Sequence, residues 1–297
     1  MDQETRRRDF LRNMLATGVA SALSGGVLAH EMINSTFNGV TIGAQSYSFR
    51  DRPLDAAIDG MKMIGIGSCE LWSGHIEPLR ESRRAKNGRE KLRAYRLETP
   101  LSKFEEIGTK FHEAGIALNA LNYSFRDDFT DEEIARGFEM AKAMGAKVIT
   151  ASGTVSVANR VNAAAKRYGM LVGMHNHSRI RENQYATPDD FAAAAEGNEF
   201  IAVNLDIGHF VAAGFDPVDY VKQHHDRIVA LHLKDRRSNQ GENVAFGEGD
   251  TPIREVLVLL RDNKYDIPAN IEYEYKGEDT VQEMTRCFAY CKQALES

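Results

Sequence analysis

The sequence predicts an α/β protein, a single domain in which eight βα units close into a (β/α)8 barrel. Three observations support this fold class. After residue 38, short runs rich in Val, Ile and Leu alternate with longer amphipathic stretches, as repeated βα units do. Eight such pairs can be counted along the chain. The length of 297 residues fits a barrel of about 250 residues once an N-terminal leader is set aside.

The strands and helix ends can be located from local signals. Gly115 and Gly145 follow helical stretches, where glycine commonly ends a helix. The pairs Thr187-Pro188, Asp216-Pro217 and Thr251-Pro252 are typical of an N-cap followed by the first helical residue. The barrel domain is therefore predicted to span 38–297, with strands at 40–46, 66–72, 116–122, 147–152, 170–175, 201–206, 228–233 and 268–273.

Composition and charge exclude several classes of protein. A hydrophobic content of 42% and a charged content of 27% are typical of a globular protein with a sizeable core. The net charge of -6 argues against a nucleic-acid partner, because binding to phosphate backbones relies on clustered Lys and Arg. Cys69, Cys287 and Cys291 have no CxxC spacing and are odd in number, so free thiols are predicted rather than a disulfide framework.

The first 30 residues resemble a twin-arginine export signal, with Arg7 and Arg8 as the pair. The weakly apolar stretch 14–29 is shorter than the roughly 20 residues that span a bilayer. It ends in small residues that suit signal peptidase. We therefore expect 1–30 to be cleaved and the mature protein to be periplasmic or otherwise exported, without a membrane span. An ordinary basic amphipathic helix is the alternative interpretation.

Segment 73–98 is strongly basic and is predicted to be an extended loop or helix over the mouth of the barrel. Its sequence leaves open whether it is a substrate lid or a solvated face. The basic residues are Arg80, Arg83, Arg84, Lys86, Arg89, Lys91 and Arg93.

Polar residues follow nearly every predicted strand, and in a barrel of this kind the chemistry lies at the strand ends. Five of the nine histidines fall at these ends. Burying many ionisable groups together is costly unless a cation or mutual hydrogen bonds compensate. Imidazole and carboxylate ligands together indicate one divalent metal ion, with manganese, zinc, cobalt, iron or magnesium as candidates. The residues in question are Gln45, Glu70, Trp72, His75, Asn122, His175, His177, Asp206, His209, His232, Lys234 and Glu272.

Four segments make the chain similar to the sugar phosphate isomerase/epimerase family, the xylose-isomerase-like TIM barrels. In that family, one residue from each of strands 5 to 8 holds a divalent metal, usually Glu, Asp, His and Glu. The resemblance implies that Asp206, His232 and Glu272 are metal ligands, and that His175 takes the place of the strand 5 glutamate. The segments that carry it are 204–210 (NLDIGHF), 231–235 (LHLKD), 246–249 (FGEG) and 271–274 (IEYE).

The substitution at His175 bears on the mechanism, because many relatives use the strand 5 and strand 8 glutamates as an acid–base pair. Glu272 is retained, but a metal-bound imidazole has no free lone pair to accept a proton. His177 lies two residues further on and is the candidate base. His209 or Glu70 is the candidate acid or a partner for the substrate. Some relatives that act as lyases or dehydratases on keto-sugars use a histidine near this place.

The remaining polar and aromatic strand-end residues are predicted to contact the substrate. Trp72 could offer an apolar face to a sugar ring. Lys234 could reach a substrate oxygen or could instead form a salt bridge with Asp235 or Glu248. The predicted substrate contacts are Gln45, Trp72, Asn122 and Lys234.

The predicted function is a metal-dependent isomerase or epimerase that removes a proton next to the carbonyl of a free sugar or keto-sugar. A keto-glycoside lyase or dehydratase would use the same first step, and a non-catalytic sugar-binding barrel is the alternative of another class. A metal-dependent nuclease is disfavoured because Glu70, Asn122 and Lys234 lie where abasic-site endonucleases carry extra histidines. Export favours a free sugar or glycoside over a sugar phosphate, and a homo-oligomer remains open.

Overall fold

A computed structural model describes residues 31–297, and the predicted export signal lies outside the described residues. Eight parallel strands pair in sequence order, and the last strand pairs with the first, which closes the barrel. The predicted (β/α)8 fold is confirmed, and each strand agrees with its predicted bounds to within two residues. The strands are β1 Val40–Gln45, β2 Ser68–Trp72, β3 Ala117–Asn122, β4 Val148–Ala151, β5 Val172–His175, β6 Ile201–Asp206, β7 Ile228–Leu233 and β8 Ala269–Ile271.

Helices surround the barrel and follow its strands. They are α1 Leu54–Ile64, α2 Leu79–Arg84, α3 Gly88–Glu98, α4 Leu101–Glu113, α5 Asp131–Met144, α6 Ala158–Tyr168, α7 Pro188–Ala195, α8 Ile207–Ala212, α9 Pro217–His224, α10 Ile253–Asn263 and α11 Thr280–Glu296. No helix within residues 31–297 is both long and apolar enough to cross a membrane.

Most of the predicted helix ends are confirmed. The Thr187 side chain caps α7 with Pro188 in the first turn, and the Asp216 side chain caps α9. The prediction at Thr251-Pro252 is wrong by one residue, because Pro252 is the N-cap of α10 and the Thr251 hydroxyl instead accepts the backbone N–H of Arg236. The three cysteines are buried and free, as expected.

The barrel interior is polar, whereas the layer between strands and helices is apolar. Gly43 on β1 shows how tightly the interior packs, because a Cβ atom there would lie 2.3 Å from the Asn270 Oδ1. Side chains that alternate with Gly43 face the helices and form the hydrophobic layer. Inward positions on β1 and β2 are Gly43, Gln45, Ser68 and Glu70, and buried outward positions are Ile42, Ala44, Cys69 and Leu71.

The basic segment 73–98 forms helices α2 and α3, and α3 is fixed to α5 by ion pairs. Arg89 and Arg93 both donate to the fully buried Glu133 carboxylate, at 2.8 and 2.7 Å. The Arg96 guanidinium donates to both oxygens of the buried Glu77, at 2.6 and 2.9 Å. These ion pairs hold α3 against its neighbours, so the face of α3 that carries Arg89, Arg93 and Arg96 is not freely solvated.

Two short hairpins complete the fold. Thr36–Phe37 pairs antiparallel with the start of β1. After β7, Asp235–Arg236 pairs with Asn243–Val244, which projects a loop beside the end of the barrel where β5 and β6 finish. The Asp235 carboxylate accepts backbone N–H groups of the segment that follows the hairpin, including those of Gly247 and Gly249. This segment is therefore fixed to the end of β7.

Candidate functional site

Four side chains from consecutive strand ends converge at the carboxyl end of the barrel. They are His175, Asp206, His232 and Glu272, and one potential ligand atom from each lies within 4.8 Å of the others. Parallel strands present their carboxyl ends on the same face, which is why residues far apart in the sequence meet here. The structure thus brings together the four residues predicted to bind a metal.

The free atoms of this cluster fit a bound cation. His175 Nε2, Asp206 Oδ2, His232 Nδ1 and Glu272 Oε2 are all buried and form no well-aligned hydrogen bond with residues 31–297, although the Lys234 ammonium makes ion pairs with the two carboxylate oxygens. Lys234 offsets the negative charge, but the two imidazole nitrogens have no hydrogen-bond partner in the described part of the chain. Because buried polar atoms almost always have a partner, this cluster fits a bound cation. Imidazole nitrogens and carboxylate oxygens are suitable ligands for a divalent transition metal.

The orientation of His232 is set from below by Glu70. His232 Nε2 lies 2.9 Å from Glu70 Oε2, so this nitrogen donates to the carboxylate and Nδ1 is the ring nitrogen that faces the cluster. The Glu70 carboxylate also accepts from Gln45 Nε2 at 2.7 Å, Thr150 Oγ1 at 2.6 Å and Asn270 Nδ2 at 3.1 Å. This saturated, fully buried position lies beneath the cavity, contrary to the prediction that Glu70 acts as an acid or contacts the substrate.

Neighbouring side chains also orient the other histidine and the aspartate. The Ser152 hydroxyl lies 3.2 Å from His175 Nδ1, which directs Nε2 toward the cluster. Asp206 is the N-cap of α8, and its Oδ1 accepts the His209 backbone N–H at 2.6 Å, which leaves Oδ2 for the cluster. The Asn176 side chain bonds both the backbone N–H and the carbonyl of Asp206.

Lys234 supplies a buried positive charge beside the cluster. Its Nζ lies 3.1 Å from Asp206 Oδ2 and 2.9 Å from Glu272 Oε2, and it also pairs with Glu274. Burial alone would lower the pKa of Lys234, but the carboxylates raise it above its ordinary value. The alternative of a salt bridge with Asp235 or Glu248 is wrong, because the Lys234 side chain points into the barrel mouth rather than into the loop.

Two further histidines face the cavity. The ring of His177 lies 5.0 Å from that of His175 and 5.4 Å from that of His209, between centroids. Desolvation, together with the charge of Lys234, lowers the pKa of His177 to about 4, so its imidazole is neutral near pH 7. Arg236 Nη1 lies 2.7 Å from His209 Nδ1 and Lys234 Nζ lies 3.2 Å from His209 Nε2, so the imidazole is held between two donors.

These groups surround a cavity of about 390 Å³, a volume in the range of ligand sites. All four predicted substrate contacts, Gln45, Trp72, Asn122 and Lys234, lie in its wall, together with His177 and His209. The Trp72 and Tyr47 rings pack edge to face, with centroids 4.9 Å apart. Four other wall residues were not predicted as substrate contacts, although each lies shortly after a barrel strand: Arg50, Ser124, Arg126 and Ser152.

A (β/α)8 barrel with an imidazole–carboxylate cluster where its strands end defines a class of proteins whose sites are built from strand-end residues. The family model described as a xylose isomerase-like TIM barrel matches residues 58–291. The chain belongs to this family.

Individual relatives are distant. An inosose dehydratase from Clostridium perfringens is 26% identical over 156 residues, which cover 43% of this chain and 52% of that enzyme. The chain thus matches about half the length of this curated relative. The crystal structure of 3-keto-D-glucoside 4-epimerase from E. coli superposes with a TM-score of 0.64 at 15% identity, covering 86% of this chain and 99% of the epimerase. A crystal structure of the IolI protein with a bound zinc atom gives a TM-score of 0.63 at 15% identity, with 85% and 97% covered. At these identities, the structural matches support the fold.

Proposed function

We propose that this chain is a divalent-metal-dependent enzyme that removes a proton next to the carbonyl of a free sugar or keto-sugar. The observation that carries the proposal is the buried cluster of four ligand atoms on His175, Asp206, His232 and Glu272, in which the two imidazole nitrogens have no hydrogen-bond partner in the described part of the chain. These four residues would hold the ion. When bound, a divalent metal would polarise a substrate carbonyl and make the adjacent C–H bond more acidic.

His177 is the group that accepts the proton. It opens onto the cavity, it follows β5 and therefore lies beside the cluster, and its neutral imidazole has a lone pair to offer. His209 lies beside it, held between Arg236 at Nδ1 and the Lys234 ammonium at Nε2. His177 as a base and Lys234 as a donor in the same wall allow a proton to leave the substrate and another to be delivered.

The other wall residues bind and orient the sugar. The amides of Gln45 and Asn122 are anchored by Glu70 and present polar edges to the substrate hydroxyls. Trp72 offers an aromatic face to the C–H side of a ring. Lys234 neutralises the carboxylates of the cluster and can donate to a substrate oxygen.

A dehydratase or keto-glycoside lyase is the second candidate, and two observations favour it. One is the similarity to an inosose dehydratase. The other is the Lys234 ammonium in the cavity wall, which could protonate a departing hydroxyl or alkoxyl group after His177 has taken the proton. Because the predicted leader sends the protein out of the cytoplasm, a free sugar or glycoside is a better substrate than a sugar phosphate.

The test combines metal analysis with proton exchange. Purified protein is expected to contain close to one divalent ion per chain and to exchange the α-hydrogen of a keto-sugar in D₂O, followed by NMR. Asp206→Ala should lose both properties, whereas Asp216→Ala, at the cap of a distant helix, should keep both. Metal and exchange that persist in Asp206→Ala would refute the proposal, and sugar binding without exchange in the wild type would make the chain a binding module.

A further inference from the structure

A second cavity of about 550 Å³ lies beside the first. Arg50 and Trp72 line both cavities, so these two side chains form a shared boundary. The volume of the second cavity is within the range of small-molecule sites. A substrate that reaches past Trp72 from the first cavity would therefore enter a space large enough for another group.

The wall of the second cavity is chemically suited to a carbohydrate ring. Trp72 and Tyr95 contribute aromatic surface, while Asp51, Arg52 and Lys103 contribute polar groups. A sugar ring has C–H faces that pack on aromatic rings and a rim of hydroxyls that exchange hydrogen bonds with donors and acceptors. Because carboxylate and cationic groups are mixed, the wall favours a neutral polyhydroxylated group over a single anion or cation.

The wall is built and held in place by the basic segment of the sequence. The Tyr95 hydroxyl donates to the Ile76 carbonyl at 2.7 Å and accepts from Lys103 Nζ at 2.8 Å. The Trp72 indole lies over Gly74, where a Cβ atom would be 2.2 Å from the ring, so the close approach requires glycine. The ion pairs of α3 with Glu77 and Glu133 fix this segment, which gives the second cavity a preformed shape.

We infer that the second cavity binds the second ring of a two-ring keto-glycoside whose reacting keto-sugar ring lies in the first cavity. The inference rests on the proposed function for the reacting ring. Arg50 and Trp72, at the boundary, then lie beside the bond that joins the two rings. The two-ring substrate gains aromatic contacts with Tyr95 that a one-ring substrate cannot make.

The test compares one-ring and two-ring substrates of the same keto-sugar, such as methyl keto-glucoside and keto-cellobiose. For exchange of the α-hydrogen by the wild type, kcat/KM should be at least about tenfold higher with keto-cellobiose than with methyl keto-glucoside. Tyr95→Ala should lower this ratio about tenfold, and the exposed Lys103→Ala about threefold. Lys110→Ala is the matched control, since Lys110 is an exposed lysine of the same helix α4 that pairs with Asp55 outside both cavities.

Calorimetry with cellobiose and methyl β-glucoside provides a readout that does not need turnover. A preference for cellobiose that is lost in Tyr95→Ala would support the second cavity even if neither keto-sugar exchanged hydrogen, an outcome that would refute only the proposed function. Equal affinities for the two ligands in the wild type would overturn the inference. A wild-type ratio near one between the kcat/KM values for keto-cellobiose and methyl keto-glucoside would also overturn it. The same is true of a ratio that changes in neither Tyr95→Ala nor Lys103→Ala.

Discussion

Glu70 and His232 meet across the interior of the barrel, with 2.9 Å between Glu70 Oε2 and His232 Nε2. The carboxylate fixes the tautomer of the imidazole, and both of its oxygens are further occupied by side chains of other strands. A residue beneath the cavity thus controls how one side chain of the cluster faces the site.

From this contact we expect Glu70→Gln to weaken metal binding by about 10- to 100-fold. The amide cannot hold the proton on His232 Nε2 as a carboxylate does, and its NH₂ group would face the amide donors that now bind Glu70. Metal affinity is measured by competition with a chelator. Glu133→Gln is the control, because Glu133 is equally buried but lies outside the cavity wall. Equal affinities in the two variants would contradict the role assigned to Glu70.

Replacing His175 and replacing His177 should impair different properties of the protein, metal binding in the first case and proton exchange in the second. Removal of a general base typically loses about 10² to 10⁴ in rate, so His177→Ala should keep its metal and bind sugar but exchange the α-hydrogen slowly. His175→Ala should bind metal more weakly and be partly rescued by excess metal. Solvent exchange followed by NMR, with metal content measured alongside, separates the two. If a folded His177→Ala protein exchanged the α-hydrogen at the wild-type rate, another residue would have to be the base, and His209 would be the next candidate.

Arg236 positions His209, and its loss should change the protonation pattern of that imidazole. Arg236→Gln should slow exchange by roughly tenfold while the metal stays bound, because His209 is then no longer held between two donors, Arg236 and Lys234, and its ring and its proton are less well defined. Nitrogen NMR of the imidazole should report a tautomer mixture. Arg237→Gln, which changes an exposed neighbour paired with Asp250, should resemble the wild type. A single unchanged tautomer in Arg236→Gln would argue against this assignment.

Glu133 should contribute stability that depends on pH. Burial opposes its charge, but Arg89 and Arg93 lower the pKa of its carboxyl below the ordinary value of 4.5. A lowered folded-state pKa stabilises the protein above the unfolded-state value, and the contribution is lost as the pH falls through the folded-state pKa. Glu133→Gln should therefore cost about 2 kcal/mol at pH 7 and less under acid conditions. Denaturant unfolding of the wild type and of Glu133→Gln, at pH 7 and in acid, measures this loss of unfolding free energy. A loss that is larger in acid than at pH 7 would contradict the prediction.

The predicted export signal leads to a separate prediction about where in the cell the protein is found. Replacing Arg7 and Arg8 together by lysine should leave the protein in the cytoplasm, because the twin-arginine route reads that pair. Cell fractionation followed by immunoblotting compares the variant with the wild type. Replacing Arg6 by lysine outside the pair should leave export intact. Normal export of the double variant would show that this pair is not the signal.

The sequence by itself determined the barrel and the ring of polar strand ends. Alternation of apolar runs with amphipathic stretches is a local property of the chain, as is the identity of the residue that ends each strand. Once the strands are parallel, their carboxyl ends must share one face. For this reason the sequence alone was enough to group His175, Asp206, His232 and Glu272.

Only the tertiary structure decided which of these groups face a substrate and which support the site from below. Glu70 and His232 are 162 residues apart, and their contact depends on the radius and register of the closed barrel rather than on any neighbour in sequence. The same holds for Lys234, whose partners come from the sixth and eighth strand ends instead of its own loop. The second cavity arises where the segment that carries Tyr95 packs against the first two strand ends, a long-range arrangement that local propensity does not encode.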